Sequence, residues 1–352
     1  MTKDQLIDYL IEKEIPVNLK PEEESKIVGE LFDYCWDLTP ENLYRYRNCN
    51  SFNFEALEKD KFLLTNPICF NDPYDSLLFI ERKKLVDTIL NSNVNDVDLI
   101  ERLNNDLEFR TSQIKLLGKD FVDTFLKAFP FRNQKEKEYY KKLSDKISVD
   151  FIDKIIDEAI KSLKQSSLVG CLSERIDSML MWSHYAQNHQ GFALNYDFKS
   201  RYIIDVGVPG VVGSEFADKK IFPVRYSDKR FDATYYVEFH FIDNFYRHLG
   251  LKLNAPFFDK LFYYKILLFK SMDWSYEKEW RIIKQTNLNY KDNKPVFDYI
   301  PLIRPKEIYL GSQISKENKE KLIKIGKSKN IDIYQMKIDV FSKKYKITSE
   351  KV

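Results

Sequence analysis

The spacing of apolar residues divides the chain into segments with different predicted secondary structure. Residues 1–40 carry apolar residues at helical spacing and predict two helices, with Pro16 and Pro21 interrupting the pattern between them. Residues 80–166 place an apolar residue at every third or fourth position among many charges, which predicts a long helical stretch. Elsewhere short alternating runs predict strands: LYRYR, KFLLTNP, SSLVGCLSE, GFALNYD, FPVRYS, EKEWRII and IDIYQMKI.

The order of these elements predicts the fold class. A regular alternation of strands and helices would favour a doubly wound parallel sheet, but the alternation here is irregular. We therefore expect an α+β fold with a mixed, partly antiparallel sheet and flanking helices. Residues 41–345 are interpreted as a single domain of this kind, with 1–40 as an N-terminal helical appendage and 80–166 as a helical insertion.

Composition and charge exclude several classes of protein. Aromatic residues make up 15% of the 352 residues, which excludes a disordered chain. The 56 basic and 54 acidic residues give a formal net charge of +2, so a nucleic acid would need a local patch, and no membrane partner is expected. No apolar stretch has the length of a membrane span or forms a signal peptide, and a cytoplasmic protein is expected. Nothing in the pattern fixes the oligomeric state.

The stretch DWSYEKEWRII carries two glutamates and an arginine among residues that are otherwise suited to burial. In a strand, Glu277, Glu279 and Arg281 would share one face, with the two carboxylates about 7 Å apart. Such a pair suits general acid–base chemistry or the stabilisation of a developing positive charge. A solvated face with ion pairs gives the same pattern, and Arg45 and Arg47 of LYRYR are its possible partners. Alternatively, these two arginines could bind a diphosphate.

The segment MLMWSHYAQNHQ predicts a helix that is capped by Asp177 or Ser178 and ended by Gly191 in the left-handed conformation. Its two histidines, His184 and His189, are five positions apart and therefore roughly 140° apart around the axis, which excludes chelation of one metal ion by the pair. The plainer interpretation makes His184 a semi-buried, hydrogen-bonded side chain. The same interpretation gives the helix a core stripe of Met179, Trp182 and Ala186.

Six segments in order resemble a bacterial family catalogued as domain of unknown function 2971. They are LYRYR, FNDPYD, CLSERIDSMLMWSHYAQNHQGFALNYD, VRYSDK, KSMDWSYEKEWRI and IYLG. The resemblance extends from about Leu43 to the C-terminal region and is interrupted by the predicted insertion. It implies no established activity, but relatives among phage-defence and mobile-element genes imply a defence effector.

A second resemblance, in the order of the motifs, is to ADP-ribosyltransferases of the Arg-Ser-Glu type. That family places an arginine on its first strand, a serine on a later strand and an E-x-E near the end, on a split mixed sheet that grips NAD. Here Arg45 or Arg47, then Ser173, then Glu277 and Glu279 follow that order. The segment CLSE departs from the family's Ser-Thr-Ser, and the insertion lengthens the spacing.

This second resemblance implies an NAD-using transferase or glycohydrolase, with small-molecule NAD as substrate and an unknown macromolecular acceptor. The catalytic residues that it implies are Glu279, Glu277, Arg281, Ser173 and His184. The residues expected to bind NAD are Arg45, Arg47, Tyr46, Asn71, Asp72, Asp75, Trp182 and Tyr185. In particular, Arg45 would bind the diphosphate, and Glu279 would accept a hydrogen bond from the ribose 2′-hydroxyl. Glu277 would orient or deprotonate the acceptor.

Two alternatives stay open. The first is a non-catalytic sensor or protein-interaction module of a defence system, in which the Trp, Tyr and His residues form a rigid core. The second is a metal-dependent hydrolase or nuclease, because hard oxygen ligands suit Mg²⁺. Its ligands would come from Asp72, Asp75, Glu174, Glu277 and Glu279.

Overall fold

Strands joined by short helices make up most of the part of the chain that the structure describes. The computed structural model describes residues 1–16, 19–85, 97–117, 119–128, 138, 153–154, 156–161, 163–199, 203–204, 215–216, 221–239, 259–285, 297–301 and 304–352. The helices are α1 (Lys3–Glu12), α2 (Pro21–Leu38), α3 (Ser51–Glu58), α4 (Val97–Asn105), α5 (Leu107–Leu117), α6 (Lys119–Ala128), α7 (Met179–Tyr185), α8 (Phe262–Leu267) and α9 (Lys316–Ser328). The strands are β1 (Leu43–Arg47), β2 (Lys61–Thr65), β3 (Ser167–Ser173), β4 (Phe192–Tyr196), β5 (Ile203–Ile204), β6 (Glu215–Phe216), β7 (Ile221–Pro223), β8 (Arg225–Ser227), β9 (Phe269–Ser271), β10 (Glu279–Gln285), β11 (Phe297–Pro301), β12 (Glu307–Leu310), β13 (Asp332–Ile338) and β14 (Ile347–Lys351).

Ten of the described strands form one mixed sheet. Its main path runs β11–β2–β3–β1–β4–β12–β13–β14; off this path, β10 pairs with β3, and β7 pairs with β10. Strands β12 and β13 are parallel, and the other pairs in this sheet are antiparallel. The α+β class and the mixed, partly antiparallel sheet predicted from the irregular order of elements are therefore confirmed.

The sheet splits at β3. One edge of β3 pairs along its whole length with β10. On the other edge, β3 pairs with β1 at Tyr44↔Ser173 and with β2 at Thr65↔Val169. Strands β1 and β2 diverge between these two points, so the sheet has an opening beside Cys171 in the middle of β3.

Helices cover both faces of the sheet. On one face, α3 and α9 pack against apolar side chains that include Leu172 and Trp280. On the opposite face, α1 and α2 pack against Val169 and Ile283, and α7 packs against Tyr46. Apolar residues at alternate positions of β3 and β10 therefore enter different cores, as the two-residue period of a strand requires.

The helix α7 is shorter than the sequence predicted. Its cap is Ser178, one of the two predicted candidates, whose Oγ accepts from the backbone N–H of Met181. Three consecutive residues in the following turn are left-handed, with φ of 49°, 52° and 65°: Gln187, Asn188 and His189. The left-handed helix end predicted at Gly191 is therefore wrong. Glycine is needed at this position because a Cβ would lie 2.2 Å from the carbonyl oxygen of Arg47.

The segment EKEWRII is only partly a strand. Residues Met272–Glu277 form a 3₁₀ helix, and β10 begins at Glu279. Between them Lys278 is left-handed, with φ of 47°, which turns the chain and breaks the strand alternation. The prediction that Glu277 shares a strand face with Glu279 and Arg281 is therefore wrong, although Glu279 and Arg281 do lie on one face of β10.

The predicted division into an N-terminal appendage, a single domain and a helical insertion remains a prediction. Within 80–166, the described residues include α4, α5 and α6, which are helical as expected. In the N-terminal segment, α1 buries Leu6, Ile7 and Leu10 in the core against the sheet.

Among the described helices, none has both the length and the apolar character needed to cross a membrane.

Candidate active site

A cavity of about 370 Å³ lies at the opening in the sheet. Strands β1 and β3, the loop after β2, helix α7 and the segment from Lys270 to Glu279 contribute to its wall. Small-molecule sites in proteins usually have volumes of roughly 300–1,000 Å³. The cavity is therefore large enough for a small molecule or for part of a dinucleotide.

Lys270 is the centre of a buried charged cluster on this wall. Its Nζ lies 2.6 Å from Oε2 of Glu277, 3.0 Å from Oε2 of Glu279 and 3.4 Å from Oδ2 of Asp75. The side chain of Lys270 is 5% exposed, and the three carboxylates are buried with it. Residues that are distant in sequence thus converge because β9, the 3₁₀ helix, β10 and the loop after β2 pack together.

Arg281 holds two of these carboxylates in place. Its Nε and Nη2 donate to Glu279 at 2.8 and 3.1 Å, and its Nη1 and Nη2 donate to Asp75 at 2.9 and 2.6 Å. Nη1 also donates to the carbonyl oxygen of Leu267 at 2.6 Å. Two-point contacts of this kind fix the orientation of both partners. Because Arg281 is fully buried behind the cavity wall, it is a positioning residue.

The cluster contains one more carboxylate than it has cations. Asp75, Glu277 and Glu279 carry three negative charges when ionised, against the two positive charges of Lys270 and Arg281, so the net charge is −1. Burial, and then repulsion by Glu279, raises the pKa of Glu277 from 4.5 to about 7. Burial also opposes ionisation of Glu279, but Arg281 and Lys270 hold its pKa well below the usual value. Glu277 is therefore the member that exchanges a proton near neutral pH.

Glu277 is positioned through both its side chain and its backbone. The hydroxyl of Tyr185 donates to Oε1 of Glu277 at 2.5 Å. Burial, and then the charge of Glu277, raises the pKa of Tyr185, which keeps this hydroxyl protonated. The backbone carbonyl of Glu277 accepts from Oγ of Ser173, which in turn accepts from the N–H of Arg175 at 3.1 Å. Ser173 thus orders the turn that carries Glu277.

His184 lies at the exposed end of the cavity wall. Its Nδ1 lies 2.8 Å from the hydroxyl oxygen of Tyr276, and its ring contacts Trp274 and Tyr185 with centroids 6.3 Å apart in each case. The side chain is exposed, so the semi-buried position that the sequence predicted is wrong. The hydrogen bond that the same interpretation predicted is present.

Arg45 and Arg47 approach the opening from the other face of the sheet. Tyr44 pairs with Ser173, and Ser173 pairs with Glu279, so these three side chains share a face. Arg45 and Arg47, at the alternate positions of β1, lie on the opposite face, yet both border the cavity through the gap between β1 and β2. The predicted ion pairs between these arginines and Glu277 or Glu279 are wrong, because Lys270 and Arg281 hold both carboxylates.

Arg45 is buried and Arg47 is partly buried, and neither forms an ion pair within the described residues. The guanidinium of Arg45 donates to the carbonyl oxygen of Leu63 across the gap and lies 4.0 Å from the ring centroid of Phe62. Its Nε is buried and makes no hydrogen bond within the described residues. Burial lowers the pKa of both Arg45 and Arg47. An anionic group bound in the opening would compensate this uncompensated positive charge.

Other predicted binding residues have mixed positions. Asn71 lies on the cavity wall, whereas Trp182 and Asp72 do not. Trp182 is fully buried and supports Tyr46, whose ring centroid is 5.1 Å away. Asp72 stabilises its own turn, because its Oδ1 accepts from the N–H of Tyr74 at 2.8 Å. Lys270 was not predicted as a site residue, because a lysine after the apolar run ILLF is typical of a surface position.

The carboxylates predicted as metal ligands do not form an open metal site. In the described part of the chain, no group of three or more His, Cys, Asp or Glu residues is arranged to hold a metal ion. Asp75, Glu277 and Glu279 instead converge on the ammonium group of Lys270. Glu174 binds Nε1 of Trp280 and the side chain of Lys3. The metal-dependent hydrolase or nuclease therefore gains no support.

The fold and the site define an α+β protein with a buried, titratable cluster on a cavity in a split sheet. A family model described as "Protein of unknown function (DUF2971)" matches residues 181–282. This range contains Lys270, Glu277, Glu279 and Arg281, which form most of the cluster. Searches of curated proteins and of solved structures returned no match to the chain, and the resemblance to ADP-ribosyltransferases gains no support from them.

Proposed function

We propose that this chain is an enzyme that breaks the N-glycosidic bond of NAD and transfers the ADP-ribose to water or to an acceptor. The observation that carries the proposal is the position of Glu277 on the cavity wall with a pKa of about 7. A carboxyl group with this pKa is present in both protonation states at neutral pH, and such groups work well as general acids or bases.

The charge of the cluster suits this reaction. When the bond between ribose C1′ and the nicotinamide nitrogen breaks, the ribose acquires oxocarbenium character and positive charge. With Glu277 ionised the cluster carries a net charge of −1, which lowers the energy of that state. As the oxygen of water or of the acceptor attacks C1′, its proton passes to the Glu277 carboxylate. Glu279, held by Arg281, supplies permanent negative charge beside it.

The opening of the sheet offers partners for the rest of NAD. Arg45, which is buried, and Arg47, which is partly buried, border the cavity and form no ion pair in the described part of the chain, so the diphosphate would supply them with an anion. Tyr46 and Tyr185 line the same cavity and present aromatic rings on which nicotinamide or adenine could stack. Trp182 contributes by supporting the ring of Tyr46.

The test is release of free nicotinamide from NAD by the purified protein and by Glu277→Gln. The amide keeps the size of the side chain and removes its ionisation, so release is expected to fall by about a hundredfold or more. Glu307→Gln is the matched control, since Glu307 is a partly buried, hydrogen-bonded carboxylate on β12 that does not line the cavity. Equal release by wild type and Glu277→Gln would overturn the proposal.

One observation favours a second candidate, a sensor that binds a nucleotide without turning it over. Every carboxylate of the cluster is ion-paired, as in a rigid structural core. In this case NAD would raise the melting temperature of the protein without release of nicotinamide. A role in phage defence, as enzyme or as sensor, remains a prediction from the first resemblance.

A further inference from the structure

The C-terminal hairpin ends in an ordered loop at the edge of the sheet. Strands β13 and β14 pair from Tyr334↔Lys351 to Ile338↔Ile347, and residues 339–346 connect them. The carboxylate of Asp339 accepts from the N–H groups of Phe341 and Ser342, each at 3.1 Å. These contacts hold the loop backbone in one conformation.

The apolar side chains of this loop are directed into solvent. Phe341 is 97% exposed, Tyr345 is 95% exposed and Val340 is 76% exposed, and Ile338, the last residue of β13, is 61% exposed beside them. Within the described residues neither ring makes an aromatic contact. Contiguous apolar side chains that a fold leaves in water mark interaction surfaces more often than chance.

The same loop carries positive charge. Lys343, Lys344 and Lys346 are exposed, and Asp339 is the one acidic residue of 339–346, so three positive charges against one negative charge give a net charge of +2. Lys337, just before the loop, is already paired with Glu350. The partner of the loop is therefore expected to be anionic as well as apolar.

We propose that this hairpin tip docks the protein onto a membrane surface that contains anionic lipids. Val340, Phe341 and Tyr345 would enter the boundary between headgroups and acyl chains, and the lysines would contact the headgroups. A single-stranded nucleic acid fits less well, because Ile338 and Val340 cannot stack on bases and a projecting tip is not a groove that follows a phosphate backbone. The near-neutral net charge of the whole chain predicted no membrane partner, but the positive charge of residues 339–346 is concentrated in one place.

The test is co-sedimentation of the full chain with vesicles of phosphatidylcholine alone and of phosphatidylcholine mixed with phosphatidylglycerol. The wild type is expected to bind the mixed vesicles, and less so as salt is raised. The double variant Phe341→Ser/Tyr345→Ser is expected to bind at least about tenfold more weakly, since two apolar anchors are lost. Removal of two charges in Lys343→Gln/Lys344→Gln is expected to weaken binding about thirtyfold.

The matched control is Tyr74→Ser, which removes a tyrosine that is 62% exposed outside the hairpin. It is expected to bind as the wild type does. Absence of wild-type binding to mixed vesicles, or equal binding by Phe341→Ser/Tyr345→Ser, would overturn the proposal. So would a hairpin-dependent dimer in solution, or hairpin-dependent binding of a single-stranded oligonucleotide, without vesicle binding. None of these outcomes depends on the proposed NAD chemistry.

Discussion

Two buried lysines five positions apart, Lys265 and Lys270, bind carboxylates in different ways. Lys265 Nζ lies 2.6 Å from Oδ2 of Asp259 and donates to the carbonyl oxygen of Lys13 at 2.8 Å. The other carboxylate oxygen of Asp259 accepts from the N–H groups of Ile15 and Leu261. This pair is neutral and ties the segment after α1 to the segment before α8.

The cluster around Lys270 is neither neutral nor closed. It has three carboxylates for two cations, and Lys270, Asp75, Glu277 and Glu279 all border the cavity. The comparison shows that burial and ion pairing alone do not distinguish a structural contact from a candidate active site. The excess carboxylate and its access to a cavity make the distinction, because they leave one proton that can be exchanged.

The largest expected effect is on stability, from Arg281→Met. This change leaves Asp75 and Glu279 buried with Lys270 as their remaining cation, and loss of one partner from a buried ion pair costs about 3–5 kcal/mol. The free energy of unfolding in urea measures it. Arg304→Met is the control, because its ion pair with Asp60 is largely exposed on the arginine side and is expected to contribute at most about 1 kcal/mol. Similar losses for both variants would contradict the account of the cluster.

Asp259→Asn should show that the ion pair of Lys265 stabilises the fold without contributing to nicotinamide release. The amide oxygen can still accept from the two backbone N–H groups, but Lys265 loses its counter-ion, so we expect a loss of about 3 kcal/mol in unfolding free energy. Nicotinamide release per folded molecule should stay unchanged. A drop in that release comparable to the drop in Glu277→Gln would show that the neutral pair is not merely structural.

The dependence of stability on pH should report Glu277. Between its ordinary pKa of 4.5 and its folded pKa of about 7, the folded state binds more protons than the unfolded chain. The stabilisation is therefore complete below pH 4.5 and is lost as pH rises through 7, a change of roughly 3–3.5 kcal/mol. The difference in unfolding free energy between wild type and Glu277→Gln, measured from pH 4 to pH 8 in steps, isolates this change. A constant difference would contradict the raised pKa.

The smallest expected effect on stability is that of Arg45→Met. The variant loses the hydrogen bond to Leu63 and the contact with Phe62, but it also removes a buried charge that forms no ion pair within the described ranges. We expect these changes to offset to within about 1 kcal/mol. The affinity for NAD, measured by calorimetry, should fall. Unchanged affinity with a large loss of stability would make Arg45 a structural residue.

Much of the fold follows from apolar patterning. The strands predicted in LYRYR, KFLLTNP, SSLVGCLSE, GFALNYD and IDIYQMKI are confirmed, because one face or both faces of each are buried in the sheet. The segment FPVRYS, predicted as one strand, forms two short ones, β7 and β8, that pair with different neighbours. The pattern did not predict β11 and β14, whose described side chains, apart from that of Ile347, are exposed or partly exposed.

Many of the predicted site residues share one cavity, but their contacts were not predicted. The cavity is lined by Glu277, Glu279, Ser173, Asn71, Asp75, Tyr185 and the two arginines of β1. The left-handed conformation of Lys278 and the separation of β1 from β2 depend on tertiary packing, so the spacing of apolar residues does not indicate them. The ion pairs of the carboxylates with Lys270 and Arg281 also depend on tertiary packing and were therefore not predicted.

The most direct test of the central claim is the rate of nicotinamide release from NAD as a function of pH, for wild type and Glu277→Gln. If the ionised Glu277 carboxylate is the working group, the wild-type rate should rise through about pH 7, where its pKa lies, and then level off. Glu277→Gln should show a much lower rate without this rise. Release from Glu277→Gln with the wild-type rate and profile, or no release from the wild type at any pH, would contradict the claim.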